Sequence, residues 1–478
     1  MDLFWHRRDP RLRDNVGLAA AAATAGDRDE TIVPVFVYDT ELLGTMGARR
    51  RAFLLRNVER LRRRYRELGS DLVVRAGDPA SVVSDLAAEH DADRVTYNEH
   101  YRPARRERAR AVESRLADAG VGTVTRTDLV LVDPGRLAES YPNHGGFHDD
   151  WRAVPKPDPY PEPKPGTLAD VGGERSVREV TGDAFVDTDP LRTDVDLPPA
   201  GYRGARKRLD DFLADGIDTY ADTRDDLARA VEAPTHAVSR LSPYLAAGAI
   251  GIREVWAAAT GARDAASDDA ARRNVEKYRD ELAWREEMYH LLYYNADLAE
   301  ANYVWFPNPI AWREDDEGFE AWKRGETGYP LVDAGMRQLE AEGYVHNRPR
   351  QVVASFLTKH LLVDWRRGAR WFMQRLVDGD HASNHGMWQW IASTGTDSVD
   401  VRIFDPVSQA AKYDPDGTFV REYVPELRDV PAGAVVDWPT LSAAEREELA
   451  PDYPDPIVDR DAAYERARRV FEEALGKR

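Results

Sequence analysis

Six prolines at every second position divide the chain into two parts that must fold differently. They are Pro155, Pro157, Pro159, Pro161, Pro163 and Pro165. Because proline lacks an amide hydrogen and fixes its own φ, this stretch cannot be a helix or a central strand. We therefore predict that this stretch is extended and belongs to a Pro-rich connector over residues 131–200, with one domain before it and one after it. A chain of 478 residues is long enough for both domains to have a core of their own.

The part before the connector, residues 1–130, alternates short apolar runs with amphipathic stretches. The apolar runs predict strands over residues 2–5, 32–38, 72–75, 95–97 and 123–125. The stretches between them predict helices over residues 17–25, 49–68, 81–89 and 104–119. This alternation predicts an α/β domain with a Rossmann-like, doubly wound parallel sheet. No GxGxxG motif follows the first strand, so the usual dinucleotide fingerprint is absent.

The part after the connector, residues 201–478, predicts a large helical domain that contains 10 of the 12 tryptophans. The chain has no cysteine, which excludes disulfides, zinc–thiolate sites, iron–sulfur clusters and thiol nucleophiles. It has no signal peptide and no run of 18 apolar residues. We therefore expect a cytoplasmic protein without a membrane span, and we expect it to be a monomer.

The charge balance is strongly acidic, with 66 Lys and Arg against 85 Asp and Glu and a net charge of -19. Only 8 of the basic residues are lysines. Low lysine, high aspartate and absent cysteine are typical of a salt-loving microbe, in which an acidic surface keeps proteins hydrated. The net charge excludes a protein that coats nucleic acid, but a local basic patch still permits a nucleic-acid partner.

Two segments of the helical domain combine binding side chains with helix signals. Ser242 before Pro243 predicts a capped helix start, and the free amides there, beside Ser239 and Arg240, suit a pyrophosphate. An ordinary capped helix explains the same pattern. In the second segment, Glu281 and Arg285 share a helix face, a spacing that a surface ion pair also explains.

Two further segments, residues 346–351 and 378–397, bring acids, amides, arginines and tryptophans close together in sequence. Such side chains can hydrogen-bond the edge of a planar heterocycle while the indoles stack on it or transfer electrons. His381 and His385 have the spacing of a metal pair, but no third ligand pattern accompanies them. We therefore predict no metal site.

In order and spacing, these segments resemble the photolyase/cryptochrome flavoproteins. The resemblance runs from FWHRRD at residues 4–9 to YPDPIV at residues 453–458. It is densest over residues 322–397, which include TGYPLVDAGMRQL at 327–339, DWR at 364–366 and WQW at 388–390. The subgroup that it resembles most is the microbial class I enzymes, here of haloarchaeal type, which repair cyclobutane pyrimidine dimers.

The resemblance implies an α/β antenna domain and a helical domain that binds FAD in a folded conformation. The residues that match positions around its phosphates are Tyr220, Ser239, Arg240, Leu241 and Ser242. Those that match positions around the flavin and adenine are Arg285, Asn347, Arg350, Asp378, Asp380 and Asn384. Arg350 and Asp378 would form a buried ion pair at the flavin edge. Asn384 would face the flavin N5, where a neutral amide suits the reduced cofactor.

The resemblance also implies light-driven repair of UV-damaged DNA by electron transfer from reduced FAD. The residues that match the lesion pocket are Glu281, Trp284, Asn347 and Trp390, and those that match DNA phosphate contacts are Arg224 and Arg348. A chain of Trp388, Trp365 and Trp312 matches the path by which electrons reach FAD. The lesion would be flipped out of the duplex.

The sequence departs from the family pattern near the expected lesion face. Gln351 replaces a usual Met, Glu287 and Met288 replace an aromatic pair, and Asp405 replaces an Asn. The stretch 398–401 replaces one that usually carries Pro-Tyr-Phe, Pro10 replaces a Leu, and residues 143–151 do not resemble the usual connector. The alternatives are therefore a cryptochrome-like photosensor without repair activity, or repair of another lesion such as the (6-4) photoproduct. The antenna pigment, a deazaflavin or methenyltetrahydrofolate, would lie between the domains, near Arg51 and residues 98–101.

Overall fold

The N-terminal part of the computed structural model, which describes residues 1–172, 175–184, 189–397 and 399–477, is built on one parallel sheet. Its strands are β1 (Asp2–His6), β2 (Ile32–Tyr38), β3 (Val73–Ala76), β4 (Arg94–Asn98) and β5 (Gly122–Arg126). All neighbouring strands pair in parallel, in the order β3-β2-β1-β4-β5. This order is that of a doubly wound, Rossmann-like sheet, the fold type that the sequence predicts. The ends of each predicted strand differ by at most two residues from those of the observed strand.

Helices cover both faces of this sheet. They are α1 (Val16–Arg28), α2 (Thr40–Gly44), α3 (Ala48–Glu67), α4 (Pro79–Glu89) and α5 (Pro103–Asp118). Because successive strand side chains point to opposite faces, Phe4 packs in one core with Leu18 and Leu55, whereas Leu3 packs in another with Val83. The doubly wound prediction is therefore confirmed, although the sequence analysis missed the short helix α2.

The connector is only partly extended. Residues 155–164, which contain most of the proline repeat, have no regular secondary structure, as predicted. Outside this stretch the connector contains α6 (His144–Ala153) and α7 (Val177–Ala184), which the sequence analysis did not predict. Phe147 and Trp151 on α6 are buried, which shows that burial of this apolar face outweighs the extended preference of the neighbouring prolines. The domain boundaries at 130 and 200 stay a prediction.

The C-terminal part is helical from residue 202 onward, which confirms the predicted all-α domain. Its first helices are α8 (Tyr202–Asp215), α9 (Tyr220–Thr223), α10 (Leu227–Glu232), α11 (Pro234–Ala237), α12 (Ser242–Ala247), α13 (Ile252–Ala265) and α14 (Asp269–Tyr294). Those that follow are α15 (Asp316–Arg324), α16 (Pro330–Glu342), α17 (Asn347–Ser355), α18 (Trp365–Arg375), α19 (His381–Ala392), α20 (Pro406–Tyr413), α21 (Thr418–Tyr423), α22 (Ala432–Val436), α23 (Ala443–Leu449) and α24 (Arg460–Ala474). A π-helical turn, Phe356–His360, continues α17. None of the described helices combines the length and apolarity needed to cross a bilayer.

The two halves meet through buried ion pairs. Arg253 on α13 bonds Asp14 and Asp128 of the sheet domain, each at 2.6 Å, and Arg11 bonds Asp128 at 2.6 Å. Such charges are stable in a dry interface because each guanidinium is bonded by more than one acceptor. At Gly248, whose φ is 75°, a Cβ atom would lie 2.0 Å from the carbonyl oxygen of Arg8. Only glycine therefore allows this close approach, which holds Arg8 beside the helical domain.

Candidate functional site

A cavity of about 280 Å³ lies among the helices of the C-terminal part. Of the residues predicted to bind a cofactor or a lesion, it is lined by Tyr220, Ser239, Arg240, Leu241, Ser242, Glu281, Asn347, Arg350, Asp378, Asp380, Asn384 and Trp388. These come from the segment before α12 and from α9, α14, α17 and α19, which lie far apart in sequence. The fold thus brings together most of the predicted site in one place.

One wall of the cavity is the segment before α12, which presents hydroxyl and guanidinium groups. Arg240 has a left-handed backbone with φ 47°, pairs with Glu342 at 2.7 Å and lies 4.5 Å over the ring of Tyr344. Its Nε is buried without a hydrogen-bond partner. Because an unbonded buried donor is costly, this atom indicates room for an acceptor in the cavity.

The predicted helix cap at Ser242 is wrong. The helix α12 starts at Ser242 itself, its N-cap residue is Leu241, and no side chain caps it. The hydroxyl of Ser242 instead donates to Oδ2 of Asp378 at 2.7 Å, and both residues line the cavity. Because Ser242 is already inside the helix, its hydroxyl is not at the N-cap position and makes this charge-assisted hydrogen bond instead.

The start of α19 and the residues just before it also line the cavity. Asp380 caps this helix by accepting from the amide of Ser383 at 2.9 Å, and it also accepts from Arg8 at 2.6 Å and from the Tyr289 hydroxyl at 2.7 Å. Although burial opposes its ionisation, Arg8 and these donors hold the pKa of Asp380 well below its usual range. The carboxylate is therefore a permanent negative charge, fixed by the sheet domain and the helical domain together.

The side chains of Arg350 and Asp378 form the predicted ion pair, at 3.1 Å. Only Asp378 is buried, with 3% of its side chain exposed, whereas Arg350 is 29% exposed at the cavity. Burial of Arg350 against a bound flavin stays a prediction. Arg350 also donates to the carbonyl oxygen of Val345 at 3.1 Å, which leaves part of its fork free for a ligand.

Asn384 and Gln351 add neutral amides to the wall. The amide nitrogen of Asn384 donates to the carbonyl oxygen of Ala369 at 3.1 Å. Since this bond orients the group, its oxygen remains an acceptor at the cavity. Gln351, one of the departures from the family pattern, lines the same cavity and accepts from Arg348 at 2.8 Å.

The three tryptophans of the predicted chain differ in burial. Trp388 lines the cavity, Trp365 is fully buried and donates to Asn302 at 3.0 Å, and Trp312 is half-buried against the same core. A Cβ atom on Gly368 would lie 2.3 Å from Trp388, so the helix that begins at Trp365 contacts Trp388 one turn later. The three side chains therefore belong to or pack against one apolar cluster, while an electron path through them stays a prediction.

Of the residues predicted to contact a lesion, Glu281 and Asn347 line the cavity. The rings of Trp284 and Trp390 lie 6.1 Å apart at an angle of 70°. Glu281, one turn before Trp284, forms an ion pair with Arg224 and another with Lys277 at 2.8 Å. Arg285, predicted to bind the cofactor, donates to the carbonyl oxygen of Leu129 at 3.0 Å and is not among the residues that line the cavity. The ion pair that the spacing of Glu281 and Arg285 could also explain does not form between them, because Arg224 and Lys277 contact the carboxylate of Glu281.

The two arginines predicted to contact phosphates both have internal acidic partners. Arg224 pairs with Glu281, and Arg348 pairs with Asp225 at 2.9 Å and lies 4.2 Å over the ring of Tyr413. The departures near them have defined places too. Asp405 caps α20 by accepting from Ser408 at 2.8 Å, and Val399 is exposed, whereas Ser398 lies outside the described residues.

Sequence reasoning missed several residues of the site. Tyr344 stacks on Arg240, and Arg8 with Tyr289 fixes Asp380. A signal existed for Tyr344, which stands two positions before the predicted segment 346–351. The pairing of Arg8 with Asp380 spans 372 positions, so no local pattern could have shown it.

A second, smaller cavity lies beside the carboxyl ends of β1 and β4 and is rich in arginine. Its lining includes Arg8, Arg50, Arg102 and Arg105. Burial, together with Arg102 and Arg8, lowers the pKa of Arg50 to about 9, and burial with the other arginines places the pKa of Arg105 well below its usual value. An anionic ligand would relieve this repulsion, and carboxyl ends of parallel strands are where open α/β sheets bind ligands.

The chain was compared with known proteins. A family model described as the FAD binding domain of DNA photolyase matches residues 278–473, and one described as DNA photolyase matches residues 2–164. The sequence is 45% identical to the deoxyribodipyrimidine photo-lyase of Halobacterium salinarum, over 100% of both chains.

Two solved structures resemble this fold. A bacterial class III photolyase from Agrobacterium tumefaciens has a TM-score of 0.87 and 33% identity, over 100% of this chain and 98% of that one. An archaeal photolyase from Sulfolobus tokodaii with two FAD molecules has a TM-score of 0.83 and 30% identity, over 99% and 100%. The subgroup predicted from the sequence, class I, stays a prediction. The predicted family is confirmed, and the chain belongs to the DNA photolyase/cryptochrome family.

Proposed function

We propose that this chain is a DNA photolyase, which uses blue light and reduced FAD to split cyclobutane pyrimidine dimers in UV-damaged DNA. The observation that carries the proposal is one cavity that combines hydroxyl, guanidinium and carboxylate groups for a dinucleotide with Glu281 and Asn347, which can bind base edges. The rings of Trp284 and Trp390, 6.1 Å apart, suit stacking on an extruded pyrimidine dimer.

The cavity wall fits FAD. Ser239, Arg240 and Ser242 would donate hydrogen bonds to its phosphates, and the buried Nε of Arg240, which has no hydrogen-bond partner, can donate to a phosphate oxygen. Tyr220 and Leu241 line the same cavity. Because the phosphates carry negative charge, a guanidinium with a free donor is the expected partner.

The other residues would hold the flavin and adenine rings. Arg350 and Asp378 present one donor fork and one carboxylate, while Asn347 and Asn384 present amides. Arg285, which lies over the ring of Tyr289 at 4.4 Å, acts on the site through Tyr289 and Asp380. When bound and excited by light, reduced FAD supplies the electron that opens the cyclobutane ring and takes it back afterwards.

The chain's own residues orient, tune and exclude water. The acceptor oxygen of Asn384 suits a reduced flavin, which presents an N–H at that edge. Trp388, Trp365 and Trp312, which share one apolar cluster, would supply electrons to the cofactor. None of these groups needs to act as a nucleophile.

The lesion would enter between Trp284 and Trp390. Stacking on the two indoles offsets the cost of extruding the dimer, and Glu281 and Asn347 can hydrogen-bond its base edges. Arg224 and Arg348 would contact phosphates beside the extruded bases. Since both already have acidic partners, we expect few free phosphate contacts and a shallow dependence of affinity on salt.

The arginine-rich second cavity, of about 40 Å³, is too small to enclose a deazaflavin or methenyltetrahydrofolate, but it can take an anionic group of such a pigment bound between the domains. The cavity lies close to residues 98–101, where the sequence predicted the pigment, and His100 lines it. Carboxylate or phosphate groups of such a pigment would offset the charges of Arg50, Arg102 and Arg105.

Repair of a defined lesion tests the proposed function. The protein is purified in high salt, its flavin is reduced, and an oligonucleotide with one thymine dimer is added. We expect thymine to be recovered under blue light and not in the dark. If FAD binds and is photoreduced but no thymine is recovered, the chain is instead a photosensor or acts on another lesion. An oligonucleotide with a (6-4) photoproduct then separates these two outcomes.

A further inference from the structure

The helix α6 of the connector places His144 against Trp284. The two rings are stacked, with centroids 3.6 Å apart and planes 7° apart. Trp390 lies 6.1 Å from Trp284 with its ring at 70°. Parallel stacking thus places His144 over one face of the indole of Trp284.

A second contact fixes the ring of His144. Its Nδ1 lies 2.5 Å from Oε2 of Glu287, a carboxylate that is only 2% exposed. Among the residues that the structure describes, Glu287 has no other ion-pair partner. Since a buried carboxylate without a partner is strongly unfavourable, this bond holds the imidazole in place.

Trp284 and Glu287 are three positions apart on α14, which puts both on one side of the helix. The imidazole thus contacts two consecutive turns of α14, by stacking on one and by hydrogen bonding to the other. A ring held at two points is more rigid than a ring held by packing alone.

The contact joins two departures from the family pattern. Glu287 stands where an aromatic residue is usual, and residues 143–151 do not resemble the usual connector. Each departure alone suggests a degraded lesion face. In the structure they are partners, because the unusual connector supplies the histidine that the unusual carboxylate binds.

We propose that His144, held by Glu287, is a positioning residue of the lesion pocket, which fixes the indole of Trp284 for stacking on the extruded pyrimidine dimer. This rests on the proposed function of the site. A fixed indole loses less conformational freedom when a base stacks on it, so the preference for damaged DNA depends on the imidazole.

The test measures affinity in the dark with oxidised flavin, so that no repair occurs. Dissociation constants are determined for a duplex with one thymine dimer and for the same duplex undamaged, and their ratio gives the preference for the lesion. H144A is expected to lower this ratio about two- to tenfold, the range expected for loss of one aromatic stacking partner. FAD content and the rate of FAD photoreduction should not change.

His148 provides a matched control on the same helix. Its side chain is 20% exposed, close to the 19% of His144, and it pairs with Asp280 at 3.2 Å. Its ring lies 5.8 Å from that of His144 but makes no ring contact with Trp284, so H148A leaves both the stack on Trp284 and the bond to Glu287 in place. H148A should keep the wild-type ratio. A second pair of variants, H144F/E287L and H144A/E287L, removes the buried carboxylate from both proteins, so that they differ only in the ring.

The outcomes separate the inference from the proposed function. A lower ratio in H144A, and in H144A/E287L relative to H144F/E287L, supports the positioning role. Unchanged ratios overturn it while the proposed function stands. If H144A does not fold, the comparison of the two double variants decides alone. If wild-type protein itself does not prefer damaged DNA, the proposed function fails and the inference fails with it.

Discussion

Trp388 and Trp390 are only two positions apart on α19, yet they lie in different surroundings. Trp388 is buried and packs against Phe372 at 5.2 Å and Trp322 at 6.2 Å. Trp390 is half-buried, faces Trp284 and has the guanidinium of Arg402 4.8 Å from its ring. Two helix positions correspond to a rotation of about 200°, so one helix presents its indoles to opposite sides.

The difference indicates how one helix can serve two tasks. On the inner side, apolar rings surround Trp388 and fix its position relative to the cavity. On the outer side, a charged and partly open environment leaves Trp390 accessible to a ligand. If the proposed function is correct, electron supply and lesion recognition should therefore respond separately to substitutions at these two positions.

The largest effect is expected from W388F. Because Trp388 is the ring of the proposed chain that lines the cavity, its loss should reduce photoreduction of FAD to the level of a dark control. The measurement is the absorbance change of oxidised FAD under blue light with an external reductant. Dark affinity for dimer-containing DNA should stay at the wild-type value.

W322F is the matched control for this variant. Trp322 is also fully buried and touches Trp388, but it lies outside the proposed chain. Photoreduction that survives in W388F, or that is lost equally in W322F, would contradict the proposed path and the separation of the two sides.

The next effect is expected from W390A on the outer side. Loss of one stacking partner for the lesion should weaken binding of dimer-containing DNA by about 1–3 kcal/mol. Photoreduction of FAD without DNA should not change. The measurement is a dark titration of labelled duplex, and equal weakening for damaged and undamaged duplex would argue against a stacking role.

The sequence predicted the inner side better than the outer side. Strand–helix alternation, the all-α second half and the residues that line the cavity follow from local patterns or from a dense family resemblance. The family resemblance assigns Tyr220, Asp380 and Trp388 to the site, and all three line one cavity.

The outer side depends on contacts that no local pattern contains. Arg224 was expected to face DNA, but its acidic partner Glu281 lies 57 positions away. His144 contacts Glu287, which lies 143 positions further along the chain. It does so from the connector, for which the proline content indicated only a linker. The same holds for the hydroxyl of Ser242, because its bond to Asp378, 136 positions away, follows only from the three-dimensional arrangement.

The smallest effect concerns how the inner side holds its tryptophan. In G368A, the new methyl group would lie 2.3 Å from Trp388 and 2.6 Å from Leu357, so the indole must shift. Overpacking of this kind costs about 1–3 kcal/mol, which exceeds the gain of roughly 1 kcal/mol from replacing glycine in a helix. We expect a lower denaturation midpoint and slower photoreduction, with the preference for damaged DNA retained because Trp390 points away.

G261A in α13 is the control. Since no atom lies near the missing Cβ of Gly261, this variant should raise the free energy of unfolding by roughly 1 kcal/mol, the helix preference of alanine over glycine, and so raise the midpoint. Equal midpoints for the two variants would show that α18 and α19 are not packed tightly enough to fix Trp388, and the contrast between the two sides of α19 would then rest on exposure alone.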